Sequence, residues 1–189
     1  IGAIVMITLK NTELQHVTPE SVGVKSSAIK AFVDEINSKK LGLQSFTMVR
    51  HDKVFAQGFW KPYAADIPHV LYSMSKSVTS TAVGFAVDEG LISLDDKVCK
   101  FFPEYFAAKL PINKALTVRM LLTMRSDKFI TVFDEKGGKD WIKQFFDAGY
   151  MMPPNTKFNY ISENTFMLSA IVSKVTGMSV ADYLYPRMF

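Results

Sequence analysis

Only two stretches of this 189-residue chain have the pattern of β-strands, and they are neighbours in sequence. Residues 45–50 and 54–60 are rich in β-branched and aromatic residues, and they flank the turn signal His51-Asp52-Lys53. This pattern predicts an antiparallel hairpin. Because a two-stranded hairpin is marginal in water and exposes both of its edges, it needs further strands. We therefore expect an α+β fold whose remaining strands lie beyond Phe189.

The rest of the chain has the pattern of helices. Residues 26–36 carry apolar residues at helical spacing, which predicts an amphipathic surface helix with N-cap hydroxyls from Ser26-Ser27. From Ser73 to Glu89 small and apolar residues run up to Gly90, which indicates a mostly buried helix. Further helices are expected at 141–146, after the Gly137-Gly138 break, and at 164–175, before Gly177.

Composition restricts the class of protein. Hydrophobic residues make up 48% of the chain and charged residues 21%, which is typical of one globular domain. The net charge of +4 arises from Lys and Arg residues interleaved with Asp and Glu, so we expect no nucleic-acid partner. The apolar segment 1–7 is too short to span a bilayer and has no basic region before it, so it is not recognisable as a signal peptide.

Cysteine and histidine residues give little sign of a cofactor site. Cys99 is the only cysteine, which excludes an internal disulfide, and we interpret it as a half-buried apolar residue rather than a reactive thiol. The three histidines, His16, His51 and His69, are isolated and lack metal-ligand spacing. We expect His69 to be a packing or loop residue, and we expect neither a metal nor a cofactor.

The pattern Ser-x-x-Lys occurs twice, at Ser27 with Lys30 and at Ser73 with Lys76. The first pair lies on the amphipathic helix, where we expect a solvated lysine. The second follows an extended aromatic stretch and opens a helix that we expect to be buried. At the start of such a helix free N–H groups favour negative charge, and i,i+3 spacing puts Lys76 on the face of Ser73, about 5–6 Å away between Cβ atoms.

Desolvation at that position would favour a neutral Lys76 amine, which could accept the proton of Ser73. The motif alone leaves another interpretation open, in which Ser73 caps the helix and Lys76 is a surface residue.

Several segments together resemble the serine β-lactamase and penicillin-binding protein superfamily, and most closely its class C branch. Residues 72–79 resemble its nucleophile segment, and the other matching segments are 18–24, 91–98, 102–104 and 117–123. The resemblance implies a β-lactamase/transpeptidase-like fold, in which an antiparallel sheet flanked by helices is joined to an all-helical region. Residues 1–17 would be an N-terminal extension, and 18–189 the first part of one catalytic domain, with helix and hairpin in 18–72 and mainly helices in 73–189.

The same resemblance suggests further site residues. Phe158 to Ser162, followed by Thr176-Gly177, occupies the place of the second catalytic element of the family. Tyr160 would then be the phenol that exchanges protons with Lys76. Ser162 stands where the family has Asn, so Ser162 and Asn164 are the candidate substrate-binding residues. On its own, a tyrosine after the Pro153-Pro154-Asn155 loop is more often a half-buried packing residue.

Two features depart from the family pattern. Ser126-Asp127 stands where Ser-Gly is usual, which puts the local turn in question. The third element, a Lys-Thr-Gly or His-x-Gly on a C-terminal strand, is expected beyond Phe189. That strand would complete the fold and supply one N–H group of the oxyanion hole. We therefore expect residues 1–189 alone to be inactive.

The resemblance implies a serine hydrolase that forms an acyl-enzyme on a β-lactam, a D-alanyl peptide or an ester. Its partner would be a small-molecule or peptide substrate, and the resemblance favours an extracytoplasmic location. One alternative is a penicillin-binding or sensor module that keeps the fold without turnover, which the residues Ser162 and Ser126-Asp127 motivate. Another is a purely structural helical domain, in which Lys76 would point away from Ser73.

Overall fold

The computed structural model describes residues 14–106, 111–129 and 140–188. The chain forms two compact units, which divide between Val70 and Leu71. The first unit contains a sheet and one long helix, and the second contains helices. No helix in the described ranges is both long enough and apolar enough to cross a membrane. The Gly137-Gly138 break lies outside the described residues.

The first unit is built on a three-stranded sheet of order β1-β3-β2. Strands β2 (Ser45–Arg50) and β3 (Lys53–Phe59) are antiparallel, which confirms the predicted hairpin. Strand β1 (Gln15–His16) pairs with β3 in parallel. The expectation of only two strands in this chain is therefore wrong, because a two-residue strand is too short to show the alternation by which strands are recognised.

The hairpin turn has a left-handed backbone. His51 and Asp52 have φ values of 52° and 57°, the conformation that a two-residue turn needs to match the twist of its strands. Asp is one of the few non-glycine residues that adopt this conformation readily. The predicted turn signal therefore lies at the turn itself, although Lys53 already belongs to β3.

Helix α1 (Ser26–Ser38) matches the predicted amphipathic helix. Its N-cap residue is Lys25, so the prediction of a serine cap is wrong. The N–H and hydroxyl of Ser26 both donate to the Glu20 carboxylate, at 2.7 and 2.5 Å. Hydrogen bonds from Ser26 lower the pKa of Glu20. A carboxylate from the preceding 3₁₀ turn, Pro19–Val22, thus satisfies the helix start in place of a local hydroxyl.

Aromatic residues join α1 to the hairpin. The Phe46 ring lies edge-on to Phe32, with 5.3 Å between centroids, and 5.9 Å from Trp60. The Trp60 indole N–H donates to the Asn37 side-chain oxygen at 2.7 Å. A Cβ atom at Gly58 would lie 2.5 Å from the Phe46 ring. A side chain at position 58 would therefore have to displace the Phe46 ring.

The second unit is helical. Two predicted helices are confirmed there, one around Trp141 and one that ends at Gly177, a C-cap with φ 70°. The helix that follows Gly177 was not expected. The helices are α2 (Ser75–Asp88), α3 (Val98–Phe101), α4 (Pro103–Phe106), α5 (Val118–Leu122), α6 (Trp141–Asp147), α7 (Ser162–Thr176) and α8 (Val180–Met188).

Helix α7 lies at the centre of this unit, where it packs against α2, α5 and α8. The expectation that α2 is mostly buried holds for only one stripe, formed by Thr79, Ala82, Val83 and Ala86. The large side chains that are almost completely buried in the core include Leu116, Leu121, Phe145, Phe146, Met167, Ile171, Tyr183 and Leu184.

A buried lysine lies at the edge of this core. Lys128 is 1% exposed, and its Nζ donates to the Ala148 carbonyl at 2.9 Å. The Nζ also lies 4.2 Å from the Tyr150 ring centroid and 4.9 Å from that of Phe145. Burial lowers the pKa of Lys128 to about 7, although the charge of Asp147 opposes the shift. Loss of hydration on burial thus favours the neutral amine.

We expect the stability of the protein to rise with pH because of Lys128. Between its folded pKa of about 7 and its unfolded value of 10.5 the unfolded chain binds more protons, so deprotonation favours folding. Urea unfolding measures this effect. Between pH 7 and pH 9.5, the free energy of unfolding of the parent should rise by roughly 3 kcal/mol more than that of Lys128→Met, which has no titratable group at this position. A pH dependence shared equally by parent and variant would contradict the assignment.

Candidate active site

Ser73 lies in a strained turn directly before α2. The 3₁₀ turn Tyr72–Met74 carries it, and Tyr72 has a left-handed φ of 46° while its side chain is 80% exposed. For a bulky residue this backbone conformation is a genuine outlier, of the kind that clusters at functional sites. The turn is closed locally, since the Ser75 hydroxyl donates to the Tyr72 carbonyl and the Met74 N–H to that of Leu71.

The expectation that Ser73 opens a buried helix is wrong. Helix α2 begins at Ser75, and Ser73 itself is exposed, whereas Lys76 is half-buried. The two side chains nevertheless meet, because the 3₁₀ turn of Ser73 runs directly into α2 and i,i+3 residues align in such a continuous helical path. Lys76 Nζ lies 3.2 Å from Ser73 Oγ, within hydrogen-bond distance.

Tyr160 completes a three-residue cluster around the serine oxygen. Its phenol donates to Ser73 Oγ at 2.7 Å, although 87 residues separate the two in sequence. The Lys76 Nζ also lies 5.1 Å from the centroid of the Tyr160 ring. The structure thus brings together all three residues that the sequence suggested as catalytic. The serine oxygen has one phenol and one amine as neighbours, and either can hold its proton when in the basic form.

The surroundings of Tyr160 shift its titration toward the phenolate form. The hydrogen bond with Ser73 lowers the pKa of Tyr160, and Lys76 lowers it further through hydrogen bonding and its charge. Partial desolvation opposes this shift. Because a lower pKa increases the phenolate fraction at a given pH, this environment equips Tyr160 to accept the proton of Ser73.

The loop that carries Tyr160 is held by the segment that follows α5. The Asn159 N–H donates to the Met124 carbonyl at 2.7 Å, and its side-chain amide donates to the Lys128 carbonyl at 3.2 Å. The Asn155 N–H donates to the Arg125 carbonyl, and Arg125 Nε donates back to the Asn155 side chain at 2.9 Å. Sequence reasoning missed this support, because no local pattern links segments about thirty residues apart.

The two candidate substrate-binding residues lie outside this cluster. Ser162 is the first residue of α7, and the hydrogen bonds of the described residues do not join it to Ser73, Lys76 or Tyr160. Asn164 is completely buried and its amide contacts Met124 Sδ at 3.5 Å. The hydrogen bonds of the described residues do not join Asn164 to the serine either.

Three other sequence features can now be placed. Lys30 pairs with Asp34 at 2.5 Å on the exposed face of α1, as expected for the solvated Ser-x-x-Lys match. His69 packs against Tyr63, with 4.5 Å between ring centroids. Asp127 keeps the turn that glycine would make, with φ 56°. Within residues 14–106, 111–129 and 140–188, no three His, Cys, Asp or Glu side chains are grouped as metal ligands would be.

Two known proteins match most of this chain. Penicillin-binding protein 4 of Amycolatopsis lactamdurans is 30% identical over 175 residues, which are 88% of this chain and 42% of the relative. The 6-aminohexanoate-dimer hydrolase of Paenarthrobacter ureafaciens is 24% identical over 196 residues, which are 90% of this chain and 49% of the relative. The chain thus spans less than half the length of each of these two relatives.

Solved structures support the fold. A penicillin-binding protein homologue from Caulobacter crescentus superposes with a TM-score of 0.68 at 18% identity, covering 94% of this chain and 50% of that one. The β-lactamase/transpeptidase-like α+β fold expected from the sequence is thereby confirmed. The family model described as Beta-lactamase matches residues 29–189. Because that match covers most of the sequence, the chain belongs to the beta-lactamase family, within the serine β-lactamase and penicillin-binding protein superfamily.

Proposed function

We propose that the protein carrying this chain is a serine hydrolase in which Ser73 attacks the carbonyl of an amide, a lactam or an ester. The observation that carries the proposal is the position of Ser73 Oγ, 2.7 Å from the Tyr160 phenol and 3.2 Å from the Lys76 amine. The family and the hydrolase and penicillin-binding names of its relatives support the same reaction class.

In the first step Ser73 Oγ forms a bond to the carbonyl carbon and gives its proton to the Tyr160 phenolate. The leaving nitrogen or oxygen then departs and takes that proton, which leaves an acyl-enzyme. In the second step water gives a proton to Tyr160 and attacks the ester, and Ser73 recovers its proton. The Lys76 ammonium would stabilise the phenolate between these transfers.

We assign the protein to a class C-like branch and take a penicillin or another cyclic or linear amide as its substrate class. The segments 72–79 and 158–162 support this branch, and Ser162 at the usual Asn position is its main departure. Penicillin-binding protein 4 and the 6-aminohexanoate-dimer hydrolase both match about nine-tenths of the chain. These names favour an amide over an ester as the natural substrate.

The test is covalent labelling of the intact protein. We expect a fluorescent penicillin and a nitrophenyl ester each to add one acyl group to the peptide that contains Ser73, as mass spectrometry would show. We also expect continued release of nitrophenol after the first turnover. If neither probe labels Ser73, the proposal is refuted. Labelling with both probes but without turnover would favour the alternative, a non-hydrolysing penicillin-binding or sensor module.

A further inference from the structure

Asp127 contacts the loop that carries Tyr160 at three points. Its side chain is buried, with the residue only 1% exposed, and its Oδ2 accepts hydrogen bonds from the N–H groups of Thr156 and Lys157, at 3.0 and 3.2 Å. Its own carbonyl accepts a hydrogen bond from the Met151 N–H at 2.8 Å. No other role for this buried carboxylate is evident in the described part of the chain.

We propose that Asp127 is a positioning residue, which fixes the loop 151–160 so that the Tyr160 phenol reaches Ser73. This inference rests on the proposed function, because it assigns Asp127 a task in the same reaction. Asp127 acts through the loop backbone and touches neither Ser73 nor the substrate.

The chemistry of the contact explains why a carboxylate is effective there. A buried carboxylate is costly unless hydrogen bonds compensate for its lost hydration, and a buried N–H group also needs a partner. Asp127 and the two loop N–H groups therefore satisfy each other. Hydrogen bonds to a charged acceptor are stronger than those between neutral groups, so they restrain the loop more tightly than a backbone contact.

The loop residues that Asp127 binds lie close to Tyr160 in sequence. Only two residues separate Lys157 from Tyr160, and the intervening Asn159 is bonded to the carbonyls of Met124 and Lys128, on either side of Asp127. Loss of the hydrogen bond from the Lys157 N–H to Asp127 would remove a restraint on the loop close to Tyr160. A displacement of Tyr160 by about 1 Å would break its 2.7 Å hydrogen bond, and such a misplacement costs on the order of 100-fold in rate.

The left-handed backbone at position 127 allows a clean variant. Asp127→Gly keeps the φ of 56° without strain and removes only the carboxylate, so the turn itself should persist. Asp52→Gly is the matched control, since Asp52 is also a left-handed aspartate, with φ 57°, but lies exposed in the hairpin turn. Asp127→Asn keeps the size of the side chain and removes its charge.

We expect kcat of the intact protein to fall about 10- to 100-fold in Asp127→Gly, with a smaller change in KM. The pH–rate profile should move to higher pH, because a phenol released from Ser73 and Lys76 loses the contacts that lower its pKa. Asp127→Asn should change kcat and the pH–rate profile less than Asp127→Gly does. Asp52→Gly should change neither of them. If circular dichroism shows that Asp127→Gly does not fold, Asp127→Asn becomes the variant that tests the role of Asp127.

A titration without substrate separates this inference from the proposed function. With ¹³C-labelled tyrosine, the NMR signal of Tyr160 is assigned by its loss in Tyr160→Phe. Its pKa should lie below 10 in the parent and return toward 10 in Asp127→Gly. An unchanged Tyr160 titration in the folded variant overturns the role of Asp127. If instead the parent neither labels nor hydrolyses any probe, the proposed function fails while the titration still decides this inference.

Discussion

Replacing Ser73 by alanine is expected to abolish covalent labelling by both probes and to reduce kcat roughly 10⁵-fold or more, the loss seen when a hydrolase loses its nucleophile. The physical reason is that no acyl-enzyme can form without the oxygen that Lys76 and Tyr160 surround. Stability should change little, because Ser73 is exposed. Intact-mass spectrometry and steady-state hydrolysis of a nitrophenyl ester measure the two effects.

The chain itself offers the control. Ser27 begins the other Ser-x-x-Lys match, on the exposed face of α1, where Lys30 is paired with Asp34. Ser27→Ala should therefore label and turn over like the parent. Equal losses in Ser27→Ala and Ser73→Ala, or full activity in a folded Ser73→Ala, would show that Ser73 is not the nucleophile.

Replacing Tyr160 by phenylalanine is expected to lower kcat by about 10²–10⁴-fold, the usual contribution of a general acid–base group. The aromatic ring remains, so packing is retained, while the contacts of the hydroxyl with Ser73 and Lys76 are lost. In the parent the rate should rise with pH as the phenolate forms, at a lower pH than an ordinary tyrosine would need, because Ser73 and Lys76 lower its pKa. This rise should be missing from the profile of Tyr160→Phe.

Tyr185, an exposed tyrosine of α8, provides a comparison. Tyr185→Phe removes the same hydroxyl type from the same unit and should leave kcat and its pH profile unchanged. If Tyr160→Phe keeps the parent's rate and pH profile, Lys76 alone must manage the proton. Residual slow labelling of Ser73 in Tyr160→Phe is expected, since the nucleophile itself is intact.

The parts of the fold that follow from short-range pattern were predictable. The hairpin followed from runs of β-favouring residues around His51-Asp52-Lys53, and the end of α7 followed from Gly177. Strand β1 was not predictable, because two residues carry no period. The cap of α1 was assigned to the wrong residue, since Glu20 reaches Ser26 from a preceding turn and outcompetes the local hydroxyl.

The site residues likewise differ in whether a short-range sequence pattern could predict them. Ser73 and Lys76 follow from i,i+3 spacing, which fixes their distance whatever surrounds them. Tyr160 lies 87 residues from Ser73 and was found only through resemblance to a family. The loop support by Asp127 was not predicted, because its two N–H partners belong to a segment about thirty residues away and a backbone N–H carries no sequence signal.

The strained turn at Tyr72 has a consequence for how this site can change. Its closing hydrogen bonds both lie within residues 71–75, so the backbone that carries the nucleophile is held by its immediate neighbours in sequence. The position of Tyr160, in contrast, depends on two segments far apart in sequence. The backbone position of Ser73 thus depends on local structure, whereas the position of Tyr160 depends on the folded helical unit. Insertions between α5 and α7 can therefore alter proton transfer while leaving the serine itself in place.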